Sequence, residues 1–196
     1  MLTRDEAIKF VNEKMENKNI VKHMIAVSVG MGGIYDHLSQ KGLVDLGGTR
    51  DEWMMAGLLH DADYLVGVVP ENQMGIQVTL WLREKGYDIP ENVAHAMAAH
   101  NWHATNVEPI TLMDWAIFCV DTLTGLITAC ALVMPEKKLA MVNLERIVKK
   151  YKNSAFAAGT RRDEIAMCES KLGISLNDFF AIVLKMMQNN HEELGL

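Results

Sequence analysis

Residues 115–134 constrain the fold more than any other stretch. They form a nearly unbroken apolar run from Trp115 to Met134, long enough to cross a bilayer. Asp121 and the hydroxyls of Thr122, Thr124 and Thr128 interrupt it, and no basic flank precedes it. A helix that is apolar all round belongs at the centre of an α-helical domain, where neighbours cover every face. An ionised Asp121 buried there alone would be very costly, so it must be paired, protonated or bound to a metal. A hydrogen bond to Thr122, Thr124 or a backbone N–H is the purely structural alternative.

Helix signals dominate the rest of the chain. Thr3-x-x-Glu6, Thr49-x-x-Glu52 and Thr160-x-x-Asp163 have the spacing of capping boxes, and Ser175 stands three residues before Asp178. Pro90 and Pro135 fit first-turn prolines or helix ends. Alternating β-type runs are scarce. The expectation is an all-α bundle of about eight or nine helices forming one domain over residues 1–196. Helices are expected at 4–14, 20–38, from Thr49 to His60, 72–85, 91–99, from Thr111 through the apolar run, 143–151, from Arg161, and 176–187. Gly30, Gly32 and Gly33 fall inside the second of these, where glycine costs up to about 1 kcal/mol each relative to Ala. Such a cluster predicts a bend or the close approach of another backbone.

Composition narrows the partners. Hydrophobic residues make up 49% of 196, which predicts a globular fold and not a disordered chain. The formal net charge is −6 with the charges interspersed, unlike the basic stripe of a nucleic-acid binder. No P-loop pattern occurs. The three cysteines, Cys119, Cys130 and Cys168, form no CxxC pair and sit in apolar surroundings. That predicts reduced core thiols and a cytoplasmic protein. The N-terminus is polar from its third residue and does not read as a signal peptide. No membrane association is expected.

The chemistry is concentrated in Gly57-Leu58-Leu59-His60-Asp61-Ala62-Asp63-Tyr64. An apolar run delivers an imidazole and a carboxylate side by side. Neighbours on a helix point about 100° apart, so His60 and Asp61 can share one ligand only where the helix ends and the backbone turns. Neutral imidazole and carboxylate are both good ligands for divalent first-row metals. His23 lies upstream on the inward face of a helical pattern, and Asp121 lies downstream.

A single His, a His-Asp doublet after an apolar run, then a lone Asp in a later helix resembles the HD superfamily of metal-dependent phosphohydrolases. The flanking words that carry the resemblance are Lys22-His23-Met24, Leu58-Leu59-His60-Asp61, Val120-Asp121-Thr122-Leu123-Thr124-Gly125-Leu126 and Phe156-Ala157-Ala158-Gly159-Thr160-Arg161-Arg162. It covers nearly the whole chain and points to a small stand-alone branch of HD-type hydrolases.

The resemblance implies that His23, His60, Asp61 and Asp121 bind one divalent transition metal (Fe, Mn, Ni, Co or Zn). Asp61 would be both ligand and orienter of the nucleophile. The reaction implied is hydrolysis of a phosphomonoester or phosphodiester in a small molecule, such as a nucleotide. Asp63 is a candidate outer acid or base, with a solvated loop position or a helix-end hydrogen bond as the structural alternative, and Arg161 and Arg162 are candidate phosphate contacts. His100, of His100-Asn101, is a candidate second-metal ligand or substrate contact. Where binuclear relatives place another His, this chain has Glu71-Asn72-Gln73-Met74, which argues against a second ion. The alternatives are a non-catalytic metal-binding sensor or scaffold and a diiron oxygenase of the same superfamily. A homo-oligomer is compatible with any of them.

Overall fold

The computed structural model describes residues 2–196, and no strand occurs among them. The helices are α1 (Arg4–Lys14), α2 (Lys18–Gln40), α3 (Arg50–Leu59), α4 (Gln77–Glu84), α5 (Glu91–Ala99), α6 (Trp102–Thr105), α7 (Leu112–Leu132), α8 (Leu144–Tyr151), α9 (Arg162–Leu172), α10 (Leu176–Asn189) and α11 (His191–Leu194). Two of the eleven, α6 and α11, are four-residue turns. The nine longer helices meet the expected number, and the all-α class holds.

α7 is the axis of the bundle. Ala116, Ile117, Cys119, Val120, Leu123, Leu126 and Ile127 have no exposed surface. It is one helix long and apolar enough to cross a membrane, but 67% of its most apolar stretch lies inside the fold. α2, α3, α5, α8, α9 and α10 pack against it. All three cysteines are free and buried in this core.

Local chemistry sets where the helices begin. Thr3 with Glu6 and Thr49 with Glu52 form the expected capping boxes. Thr111 with Asp114 forms another at the start of α7, and the Ser175 hydroxyl accepts from the Asp178 N–H. Thr160 caps nothing; Arg161 is the N-cap of α9. The cause is the neighbouring Arg162, whose guanidinium donates to the carbonyls of Tyr151 (2.7 Å), Phe156 (2.6 Å), Asn153 (3.0 Å) and Thr160 (3.2 Å). These bonds wind the 153–160 loop around one cation and hold Thr160 outside the helix.

The helix expected over 72–85 is divided. Glu71–Gln73 is a 3₁₀ turn and α4 starts at Gln77. Gly75 lies between them at φ +91°, and a Cβ there would fall 2.3 Å from the Met97 carbonyl oxygen. The chain breaks because Asp63 captures the backbone at this point, as its carboxylate accepts from Gly75 N–H (2.8 and 2.9 Å) and Val78 N–H (2.8 Å).

The glycines of α2 make room for neighbouring side chains, not for the second backbone that was expected. A Cβ on Gly30 would lie 2.8 Å from Val120 of α7, and one on Gly33 would lie 2.4 Å from Met186 of α10. On the other side of α2, Gly57 of α3 packs with no room for a Cβ, which would sit 2.8 Å from both Ser28 Cα and Ser28 N. The Ser28 hydroxyl donates to the Met54 carbonyl at 2.7 Å across the same seam. This tight α2–α3 contact brings His23 and His60 together.

Candidate metal centre

Four helices and the turn after one of them bring five donors together, His60 beneath a cleft and the other four lining it. His23 comes from α2, Asp121 from the middle of α7, and His100 is the residue closing α5. His60 closes α3 in a helical conformation, and the chain turns directly after it. That turn lets adjacent His60 and Asp61 converge, as the helix-end expectation requires.

His23 Nε2 lies 2.9 Å from Asp121 Oδ1 and 3.8 Å from Asp61 Oδ2. His60 Nε2 lies 3.5 Å from Asp61 Oδ2 and 3.8 Å from Asp121 Oδ1. His100 Nε2 lies 3.4 Å from Asp61 Oδ1, the other oxygen of the same carboxylate. Two overlapping ligand groups result, His23–His60–Asp121 and His60–Asp61–His100. Donors about 2.0–2.2 Å from a shared ion stand roughly 3–3.5 Å apart along the edge of a coordination polyhedron. The observed separations surround that range.

The tautomers are set from outside. His60 Nδ1 donates to the Gly57 carbonyl at 2.9 Å, and His100 Nδ1 donates to the Met97 carbonyl. The Thr124 hydroxyl donates to the Asp121 carbonyl at 2.8 Å, so its lone pair is left to accept from His23 Nδ1–H at 3.3 Å. With every Nδ1 carrying its proton, each Nε2 presents a lone pair to the cleft. His23 Nε2 and Asp121 Oδ1 are then two acceptors only 2.9 Å apart, an arrangement that only a cation or an added proton reconciles. His60 Nε2 is fully buried and has no hydrogen-bond partner, although buried polar atoms are normally satisfied.

The local electrostatics ask for the same positive charge. Burial alone would keep His60 neutral, but the Asp61 and Asp121 carboxylates outweigh it and hold the ring well above its ordinary pKa. Burial pushes both carboxyls up; His60 and His100 pull Asp61 far below the usual carboxylate range, and His23 and His60 do the same to Asp121. The donor set could therefore hold a metal ion, imidazole and carboxylate both being metal ligands.

The cleft has a volume of about 580 Å³ and is lined by His23, Asp61, His100 and Asp121, together with Tyr64, Glu71, Asn101, Thr122 and residues 157–161. Arg161 is its cation. Its Nη2 lies 3.5 Å from Asp121 Oδ2 and its Nε 2.6 Å from Glu164 Oε2. The Arg161 N–H donates to the Thr122 hydroxyl at 3.1 Å, fixing the start of α9 beside Asp121.

Other sequence candidates fall elsewhere. Arg162 is spent on loop carbonyls, as described above. Asp63 is fully buried, gives all its contacts to the Gly75–Val78 backbone and does not line the cleft. Burial pushes its carboxyl up against those same bonds. His103, three residues after His100, turns its Nε2 to Glu164 Oε1 at 3.1 Å. His95 Nδ1 sits 3.0 Å from buried Asp114. The sequence reading did not single out Glu164, whose side chain is 2% exposed beneath Arg161. Its i+3 spacing from Arg161 was the available signal.

No family model, curated protein or solved structure matches the chain.

Proposed function

We propose that the chain is an HD-type metal-dependent phosphohydrolase that cleaves a phosphate ester in a small molecule, using a divalent transition metal held by His23, His60, Asp61 and Asp121. The observation that carries this reading is the convergence of Nε2 lone pairs and two carboxylates, each histidine fixed through Nδ1, beside one arginine in an open cleft. The chemistry that a divalent ion supplies in such a set is Lewis acidity towards a phosphoryl oxygen and acidification of water.

The protein's own groups supply the rest. Arg161 faces the cleft and offsets negative charge on the transferred group. Its pairing with buried Glu164 fixes the guanidinium plane, leaving an Nη edge towards Asp121. Asp61 divides its two oxygens between the His23–His60 side and His100, which places it to orient a water. His100 Nε2, with its Nδ1 committed to Met97, can accept a proton or hydrogen bond from that side. A small substrate, no nucleic-acid polymer and a reducing, cytoplasmic setting complete the proposal, supported by the net charge of −6 and three free buried thiols.

A second reading has one observation in its favour. Asp61 and His100 form a second ligand group that shares His60 with the first, and Glu71 lines the same cleft. A second ion would be held by Asp61 and His100 with Glu71 nearby, and a pair of ions would supply the chemistry of a binuclear hydrolase or a diiron oxygenase. The deciding experiment reconstitutes the metal-stripped protein with each of Fe, Mn, Co, Ni and Zn and assays phosphate release from a panel of small phosphomonoesters and phosphodiesters. Metal-dependent release that disappears in Asp121→Ala supports the hydrolase. Dioxygen consumption without phosphate release supports the oxygenase.

A further inference from the structure

The loop between the His-Asp doublet and α4 exposes apolar surface next to the metal centre. Tyr64 is 44% exposed, Val66 76% and Val68 74%. Exposed single valines are ordinary; these are not isolated. With Val69, Pro70 and Met74 they line a groove of about 490 Å³, whose one charged residue is Glu71. Tyr64, Glu71 and Met74 line both this groove and the metal cleft. The two spaces therefore adjoin at these residues, and each has the size of a small-molecule site.

The loop is built to hold this shape. Tyr64 N–H donates to Asp61 O (3.0 Å), Leu65 N–H to Asp63 O (2.7 Å), and Val68 and Val69 N–H both to Leu65 O (2.9 Å each). Val69 and Met74 are buried anchors at 5% and 7% exposure, and Asp63 ties the near end of the loop to Gly75 and Val78. The valines are thus presented on a fixed turn.

Charge assigns the two ends. The cations that welcome a phosphate, Arg161 and the metal, lie at the Asp121 end, whereas Glu71 at the junction repels a second anionic group. The groove's polar side-chain atoms are the Tyr64 hydroxyl and the Glu71 carboxylate alone. A nucleobase there would find only these two side-chain partners, whereas an apolar group would cover the exposed valines. We infer that the substrate is an amphiphilic phosphate ester, its phosphate at the metal centre and an uncharged alkyl or aryl group along Tyr64, Val66 and Val68. This rests on the phosphohydrolase reading and adds the substrate class.

The test is calorimetric binding of methyl-, butyl- and hexylphosphonate, which are not hydrolysed, to Mn²⁺-reconstituted wild type and to the Val66→Ser/Val68→Ser variant. Both valines are exposed, so the variant is expected to fold. Each methylene buried is worth about fourfold in affinity, and partial burial of the chain should give at least about tenfold from methyl to hexyl in wild type. In the variant the gain should fall to about threefold or less, with methylphosphonate binding unchanged. Equal binding of all three to wild type would overturn the inference while leaving the phosphate site standing. An undiminished chain-length gain in the variant would also overturn it, as would a nucleoside phosphonate binding more tightly than hexylphosphonate. Loss of a wild-type dimer in the variant, with no chain-length effect, would assign the groove to self-association instead. If no phosphonate binds, the phosphohydrolase reading falls and takes this inference with it.

Discussion

Thr124→Val isolates the device that aims His23. The Thr124 hydroxyl donates to the Asp121 carbonyl at 2.8 Å and accepts from His23 Nδ1–H at 3.3 Å, in a side chain with no exposed surface. Valine keeps the shape and puts a methyl group where the oxygen was. Two neutral hydrogen bonds are lost, each worth about 0.5–1.5 kcal/mol. The folding cost should fall near the lower end, about 1 kcal/mol in all, because the Asp121 carbonyl keeps its helical environment and the His23 side chain, 25% exposed, can turn to water. The metal cost is the larger one. Without an acceptor at Nδ1 the ring is free to carry its proton on Nε2, the atom aimed at Asp121. Loss of such an outer partner typically costs 10–100-fold in metal affinity, or about 1.4–2.7 kcal/mol. Competition with a chromophoric chelator measures the affinity, and urea denaturation of the metal-free protein measures the fold. Thr124→Ser, which keeps the hydroxyl, should restore affinity. Unchanged affinity in a folded Thr124→Val protein would refute the tautomer argument.

Gly57→Ala should destabilise the protein by about 1–3 kcal/mol in thermal or urea unfolding, since its Cβ would meet the Ser28 backbone at 2.8 Å; it should also weaken metal binding by displacing the Gly57 carbonyl from His60. The two neighbouring arginines should part company. Arg161→Ala should weaken inorganic phosphate binding to the Mn²⁺-loaded protein about tenfold, with some stability lost because buried Glu164 keeps only His103 as a partner, whereas Arg162→Ala should cost about 2 kcal/mol or more of stability through its lost carbonyl bonds without a matching loss of phosphate binding. The three cysteines should resist iodoacetamide at pH 8 in the native protein and react on unfolding, as read by mass spectrometry. Burial pushes the Cys168 thiol up to about 12, leaving roughly one thiolate in ten thousand at that pH.

The architecture was legible because its signals are local. The apolar period of α7, the Thr3 and Thr49 capping boxes and the inward faces of α2 and α3 each specify an element without reference to the others. The proposed ligands were legible for a related reason: Asp121 is anomalous in an apolar helix, and His60-Asp61 sits where an apolar pattern stops. What escaped the sequence depends on contacts between distant segments. Thr124 stands 101 residues from His23, and its role appears only when α2 and α7 are packed. Asp63, a candidate outer acid or base, takes the hydrogen-bonding alternative instead: it reaches forward to Gly75 and Val78, and that bond pattern also splits the helix expected over 72–85. Arg161 and Arg162 are indistinguishable as letters. One faces the cleft and the other organises a loop because α9 begins between them.

The central claim is that His60 and its neighbours form a metal site. Elemental analysis of protein purified without an affinity tag, on wild type beside His60→Ala and His60→Gln, tests it most directly. The account predicts about one transition-metal ion per wild-type chain, lost in both variants while the helical signal by circular dichroism is kept. A folded wild-type protein that takes up no metal even after reconstitution would contradict it, as would variants that retain the wild-type metal content.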